Sequence, residues 1–168
     1  MSKHSFNYIL DRSFDSGENA ICTMGIQHRK VHDGRSFSIS RVVNGLSNGG
    51  TTKVLLQVGT SSEIHALLGI QATGDHEYTV YEEPTITAAG SPITIYNMNR
   101  SSSNTADVTA FHSGTLSGGT AIFNGLVPGG SGAGASGNKS NMNLSGAPGW
   151  IFGAGTNYSL EIVNRSGA

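Results

Sequence analysis

Hydrophobic and polar residues alternate along much of this chain, and a repeat of two residues is typical of half-buried β-strands. Ser36–Val43 shows the pattern clearly, with small polar residues between apolar ones. In Glu63–Ile70 the apolar residues at even positions are predicted to share one face, with His65 on the other. Strands are predicted at residues 36–43, 53–58, 63–70, 77–83, 91–99, 107–112, 120–123, 149–153 and 157–164.

Glycine-rich turns separate these segments at a spacing of roughly ten residues. Asn44-Gly45 and Gly118-Gly119 are examples, and glycine contributes 24 of the 168 residues. Strong helix formers do not recur at helical spacing over three turns in any stretch, including the one with His28 and His32. The sequence therefore predicts an all-β fold, an antiparallel β-sandwich or barrel.

Two stretches depart from this rhythm. Residues 1–34 carry more charge and show no clear period, which predicts an N-terminal arm or edge segment before a sandwich domain at residues 35–168. Residues 128–149 are rich in glycine and too long for an ordinary turn, so we expect a surface loop that contacts a partner. The aromatic residues of the arm expected to contact that partner are Phe6, Tyr8 and Phe14.

Charge and cysteine content exclude several classes of protein. The formal net charge of −1 provides no sequence-wide basic field, so we expect no nucleic-acid partner. Cys22 is the single cysteine, which excludes an intramolecular disulfide and a multi-cysteine zinc site. The first residues lack an apolar signal-peptide core, and no apolar run reaches membrane-spanning length. We therefore expect synthesis in a reducing cytoplasm and no membrane partner.

Motifs that would indicate catalysis or a cofactor are incomplete. Gly132–Gly137 has the GxGxxG spacing of dinucleotide-binding loops, but the sequence predicts no strand before it and no helix after it. His65 and His76 are followed by glutamates without the closely paired histidines of the cupin motif. Glu82 and Glu83 are adjacent on a predicted strand, so they would point to opposite faces and could not flank one glycosidic bond. We expect no catalytic residue, no metal ligand and no cofactor.

Trp150 is the single tryptophan, two residues before Phe152. A tryptophan beside a phenylalanine most often anchors a core or an interface, whereas an exposed one provides a platform on which a sugar ring stacks. We include Trp150 with the arm aromatics among the expected partner-contact residues.

One set of segments carries a resemblance to a known family. The segments are His65–Ala72, Glu82–Thr85, Gly90–Ser102, Gly118–Thr120 and Gly155–Asn164. They resemble a set of virion proteins of tailed bacteriophages, over residues 28–166. The most distinctive part is an Asn-x-Asn-Arg-Ser sequence at Asn97–Ser101, which follows a Gly-x-x-Ile-x-Ile strand.

The resemblance implies a single jelly-roll-like domain without catalysis, a decoration or cement protein that binds the major capsid protein and stabilises the shell, often as a homotrimer. It also implies a location on the capsid surface of the virion, with assembly in the host cytoplasm. Two alternatives stay open. One is a receptor- or glycan-binding jelly-roll module of a phage fibre or tail, which would stack a host glycan on Trp150, Tyr96 and Tyr81. The other is a metal-dependent β-barrel enzyme.

Overall fold

The computed structural model describes the backbone of residues 14–15, 20–21, 26–72, 74–128, 140–143 and 149–166. It describes the side chains of residues 28–72, 74–128 and 149–166. The chain divides into two compact units. The first comprises Met1–Phe37 and Asn97–Asn104, and the second comprises Ser38–Tyr96 and Thr105–Ala168.

Sixteen strands and one short helix are present in the described residues, which confirms the predicted all-β, antiparallel, sandwich-like class. In chain order they are β1 Phe14–Asp15, β2 Ala20–Ile21, α1 Ile26–His32, β3 Phe37–Ser38, β4 Thr51–Val58, β5 Ile64–Ala66, β6 Gly69–Ala72, β7 His76–Glu82, β8 Thr85–Ala88, β9 Ser91–Ile93, β10 Tyr96–Asn97, β11 Val108–His112, β12 Thr115–Ser117, β13 Thr120–Val127, β14 Ser140–Asn143, β15 Trp150–Phe152 and β16 Asn157–Asn164. No helix in this described part of the chain is long and apolar enough to cross a membrane.

A six-stranded sheet forms the centre of the second unit. Its order is β13-β7-β16-β4-β11-β9, and each neighbouring pair is antiparallel. In β16, Tyr158 lies opposite Leu56 of β4 on one side and Glu82 of β7 on the other. Because successive side chains of a strand point to opposite faces, Tyr158 and Leu160 belong to one face of the sheet, and Ser159 and Glu161 belong to the other.

Two apolar clusters cover the Tyr158 face. The first consists of Val58, Val80, Phe152 and Tyr158, and the second of Ile70, Tyr78 and Val127. Phe152 comes from the small β5/β15 sheet, and its ring stacks on Tyr158 with the centroids 4.0 Å apart. Ile70 comes from the small β6/β14 sheet. Burying each such side chain contributes about 1.5–3 kcal/mol, so these contacts fix the small sheets over the large one.

The small β8/β12 sheet lies against the opposite face of the six-stranded sheet. Leu55 and Ser159 on this face are 1% and 3% exposed. The Lys53 ammonium group donates a hydrogen bond of 3.1 Å to the backbone carbonyl of Leu116 in β12. The second unit is therefore layered, with strands packed on both faces of its central sheet.

The predicted strands at the centre of the sheet agree best with the structure. Residues 53–58 and 157–164 match β4 and β16 closely. Residues 120–123 were predicted as a short edge strand; β13 is at the edge but continues to Val127. Within the described residues 140–143, the predicted loop contains β14, which pairs with β6.

Two long predicted strands were wrong because each changes partner midway. In residues 63–70, β5 pairs with β15 and β6 pairs with β14, although burial alternates throughout as predicted. In residues 91–99, β9 pairs with β11 and β10 pairs with β3. A third prediction, a strand over Ser36–Val43, holds only at Phe37–Ser38.

The absence of helix at His28 and His32 was also predicted wrongly. Helix α1 spans Ile26–His32. Its end is a Schellman turn: the Gly34 N–H donates to the Val31 carbonyl and the Arg35 N–H to the Lys30 carbonyl, at 2.9 and 2.8 Å. Gly34 has a φ of +66°, the left-handed conformation that this turn requires. Seven residues are too few for a test of periodicity that uses three turns, so the pattern was missed.

Candidate functional site

One stretch of the second unit forms no strand within the described part of the chain. We call residues 39–46 the unpaired segment, since none of them belongs to a strand in the described structure. Three of its four apolar side chains face solvent, with Val42 82%, Val43 40% and Ile39 36% exposed, and Leu46 is half-buried. Alternation and β-branched residues favour a strand here, but this chain provides no neighbour in the part that the structure describes.

Side-chain hydrogen bonds hold the unpaired segment at two points. The Arg41 guanidinium donates to the Lys53 carbonyl at 3.4 Å and to Ser113 Oγ at 3.5 Å. The Asn164 side-chain amide donates to the Leu46 carbonyl at 2.5 Å. Because both contacts fix the segment near its ends, Val42 and Val43 are presented between them. The arrangement suits addition of a strand from another chain, which would pair the backbone and cover the valines.

A second exposed apolar pair lies on the outer face of the β5/β15 sheet. Ile151 is 58% exposed, and it lies opposite His65 in the register. Leu67, which is 60% exposed, follows two residues after His65. An ideal Cβ on Gly149 would lie 3.1 Å from Leu67 Cδ2, so the chain passes close to Leu67 as it enters β15. These residues adjoin the predicted partner-contact loop at 128–149.

A polar depression lies between the six-stranded sheet and the β8/β12 sheet. Its volume is about 160 Å³, and its lining includes Lys53, Tyr81, Ser159 and Glu161. Lys53 Nζ lies 2.6 Å from Glu161 Oε2 and 3.1 Å from the Leu116 carbonyl oxygen. The lysine and the carboxylate thus neutralise each other, an arrangement that supports packing between the layers.

The predicted partner-contact residues occupy different environments. Phe6 and Tyr8 lie outside the described residues, and Phe14 is described only as part of the backbone of β1. Trp150 packs in the core, with its ring 5.6 Å from that of Phe123 and 6.3 Å from that of Phe152 between centroids. The core interpretation of Trp150 therefore agrees with the structure, and partner contact by these four residues stays a prediction.

The glutamates and histidines that the sequence analysis considered as catalytic or metal-binding groups form hydrogen bonds to different partners. Glu82 Oε1 accepts a hydrogen bond from the Tyr158 hydroxyl, and Glu83 Oε1 accepts one from the Asn157 N–H, both at 3.0 Å. His76 Nδ1 lies 2.6 Å from the Gly74 carbonyl oxygen. Within the described ranges no three histidine, cysteine, aspartate or glutamate side chains come together as a metal site.

Two buried tyrosines have perturbed ionisation. Burial raises the pKa of Tyr78 above its ordinary value. Burial also raises the pKa of Tyr158, with a further increase from the Glu82 carboxylate. Because both hydroxyls are held in the neutral form, they contribute to packing and hydrogen bonding at neutral pH.

The distinctive Asn-x-Asn-Arg-Ser sequence binds the end of helix α1 in the first unit. The Asn97 side-chain amide donates to the carbonyls of Gly34 and Asn104, both at 3.0 Å. Asn99 donates to the His32 carbonyl at 2.9 Å. We call Asn97, Asn99 and Asn104 the asparagine clamp; Asn104 donates to the Asp33 carbonyl at 3.2 Å. Sequence reasoning noted the motif without its role, since nothing local indicates a helix more than sixty residues away.

Comparisons of this chain with protein-family models, with curated proteins and with solved structures found no match.

Proposed function

We propose that this protein is a non-enzymatic virion structural protein, a decoration or cement protein that binds the major capsid protein on the capsid surface. The observation that carries the proposal is the unpaired segment, with Val42 and Val43 exposed between two fixed points. The resemblance to virion proteins of tailed bacteriophages supports the same function. On this proposal the chain is made in the host cytoplasm and joins the shell there, as a homotrimer.

The chemistry of the unpaired segment favours an extended, apolar partner. Within residues 39–46 the single charged side chain is Arg41, and its guanidinium already donates to the Lys53 carbonyl. Free strands that must stay unpaired often carry lysine or proline, and this segment contains neither residue. A strand at the edge of a capsid subunit would therefore pair with the segment at little electrostatic cost.

Binding to capsids that lack this protein would test the role of the unpaired segment. We expect Val42→Asp to weaken binding at least tenfold, because the charge would have to be buried against the partner strand. Leu126→Asp is the matched control, since Leu126 is an exposed apolar residue of β13 outside the unpaired segment, with 54% of its surface exposed. Equal affinity of the parent and Val42→Asp would refute the assigned surface.

Cryo-electron microscopy of the parent virion tests the function itself. We expect density for this chain on the outer surface of the shell, with residues 39–46 against a capsid subunit. A shell without such density would overturn the proposal even if the chain binds isolated capsids.

A glycan-binding module is the runner-up, and the structure offers it less support. Of the three proposed stacking residues, Tyr96 is 52% exposed, whereas the Trp150 ring contacts Phe123 and Phe152. A glycan array read with the parent and with Tyr96→Ala would separate the two functions. Glycan binding that Tyr96→Ala abolishes, together with no capsid binding, would favour the runner-up.

A further inference from the structure

The two histidines of helix α1 point their rings at each other. His28 and His32 are four residues apart, so they share one side of the helix. Their Nε2 atoms lie 3.2 Å apart, and the ring centroids are 4.7 Å apart. Both side chains are exposed to solvent. Two imidazole nitrogens therefore converge on one point at the surface of the first unit.

The distance between these nitrogens matches a two-point metal chelate. Imidazole nitrogens bind zinc at about 2.0–2.1 Å, which places two of them about 2.9 Å apart at a right angle and about 3.3 Å apart at a tetrahedral angle. The observed 3.2 Å lies within that interval. Imidazole is also the side chain that zinc, copper and nickel ions prefer among nitrogen ligands.

The backbone beneath the pair is fixed by contacts described above. The Asn99 amide holds the His32 carbonyl at 2.9 Å, and the Schellman turn occupies the carbonyls of Lys30 and Val31. The Arg29 guanidinium, on the turn between the histidines, lies 3.9 Å from the Asp33 carboxylate, which offsets its charge. A helix fixed in this way pays little entropy to bring the two rings together, and preorganised ligands raise metal affinity.

We propose that His28 and His32 form a binding site for a divalent transition-metal ion of the nickel, copper and zinc group. The two Nε2 atoms are the protein ligands, and water fills the other coordination positions. This site is separate from the proposed capsid function and does not depend on it. Without metal, one ring can donate an Nε2–H···Nε2 hydrogen bond to the other at this distance. The structure is therefore compatible with an empty site.

Calorimetric titration of the full chain with Ni²⁺ alone tests the proposal. Every protein in the series carries His4→Gln, which removes a histidine outside the described residues as a competing ligand. We expect one Ni²⁺ per chain, with a dissociation constant that rises at least tenfold in His28→Gln and in His32→Gln. His65→Gln is the matched control, because His65 is an exposed histidine on β5, and it should leave the constant unchanged.

Hydrogen exchange provides a second readout. Ni²⁺ should slow exchange of the α1 amides in the parent and leave it unchanged in His32→Gln, since a ligand bound to the folded helix stabilises it. Absence of saturable binding at one ion per chain would overturn the proposal and leave the shared proton as the role of the pair. Equal weakening by His28→Gln and His65→Gln would also overturn it.

Discussion

Gly34 is needed both for its left-handed backbone conformation and for the lack of space for a side chain, whereas Gly45 is needed only for its conformation. Both have positive φ angles, +66° and +68°. An ideal Cβ on Gly34 would lie 2.1 Å from Ser102 Oγ and 2.6 Å from Ser102 Cβ, whereas Gly45 has nothing within 4 Å of such an atom. The pair therefore separates the conformational cost of a side chain from its steric cost.

We predict that Gly45→Ala lowers the free energy of unfolding by about 1 kcal/mol, the cost of a left-handed residue other than glycine. Gly34→Ala should cost roughly 1–3 kcal/mol more, because Ser102 must move away from the new methyl group. Chemical denaturation measures both values. Adding Ser102→Gly to Gly34→Ala should recover the steric part, and equal costs for the two single variants would contradict the explanation.

Tyr158 is expected to make the free energy of unfolding depend on pH in the alkaline range. Its hydroxyl accepts a hydrogen bond from the Gly153 N–H and donates one to Glu82 Oε1, both at 3.0 Å. Burial first, and the Glu82 carboxylate second, raise its pKa above the ordinary 10.0. The folded state therefore holds the proton more tightly than the unfolded chain does. This contribution to stability is complete below about pH 10 and is lost as the pH rises through the folded-state value.

Tyr158→Phe should lower the free energy of unfolding by about 1–2 kcal/mol at pH 7, because two hydrogen bonds are lost. The gap between parent and variant should stay constant up to about pH 10 and narrow at higher pH, since only the parent loses the contribution of a neutral hydroxyl. Urea unfolding across this range measures the gap. A gap that stays constant would exclude Tyr158 as the titrating group.

Helix α1 depends on an element distant in sequence. Asn97→Asp keeps an oxygen that can accept from the Asn99 N–H but removes the donor to the carbonyls of Gly34 and Asn104. We expect a loss of about 2–3 kcal/mol in the stability of the helix end, since two carbonyls lose a donor and face a carboxylate. Hydrogen exchange at the amides of Gly34 and Arg35 should accelerate at least tenfold. Asn124→Asp, at an exposed position of β13, is the control and should leave these amides unchanged.

Elements differ in how far the sequence determines them. β4 and β16 were predictable because each carries a short run rich in apolar and β-branched residues between turn residues, as expected for inner strands of a sheet that is covered on both faces. Helix α1 was not, because it is stabilised by the asparagine clamp rather than by its own periodicity. Residues 39–43 of the unpaired segment were predicted as part of the strand 36–43, and their composition does favour one. A single sequence does not specify whether such a stretch finds a neighbouring strand, so the exposed valines of the candidate site became apparent only in the structure.

The layers of the second unit are joined by different forces on the two faces of its central sheet. One face is covered by apolar clusters, in which Phe152 stacks on Tyr158. On the other face, the half-buried Lys53–Glu161 ion pair connects β4, β16 and the backbone of β12. An apolar cluster tolerates small shifts, whereas an ion pair with a defined carbonyl acceptor sets one position for the β8/β12 sheet.

The Lys53–Glu161 pair is therefore expected to show strong coupling between its two residues. The side chains are 28% and 22% exposed, so a single substitution leaves a partly desolvated charge without its partner. We predict that Lys53→Met lowers the free energy of unfolding by about 2 kcal/mol. The double variant Lys53→Met/Glu161→Gln should cost less than the sum of the single variants by about 1 kcal/mol, as chemical denaturation in a double-mutant cycle would measure. The exposed pair Arg165–Glu77, with atoms 2.7 Å apart, provides the comparison cycle and should show weaker coupling.

Additive costs at Lys53 and Glu161 would mean that the ion pair does not set the position of the β8/β12 sheet, and apolar contacts such as that of Leu116 would then carry that role.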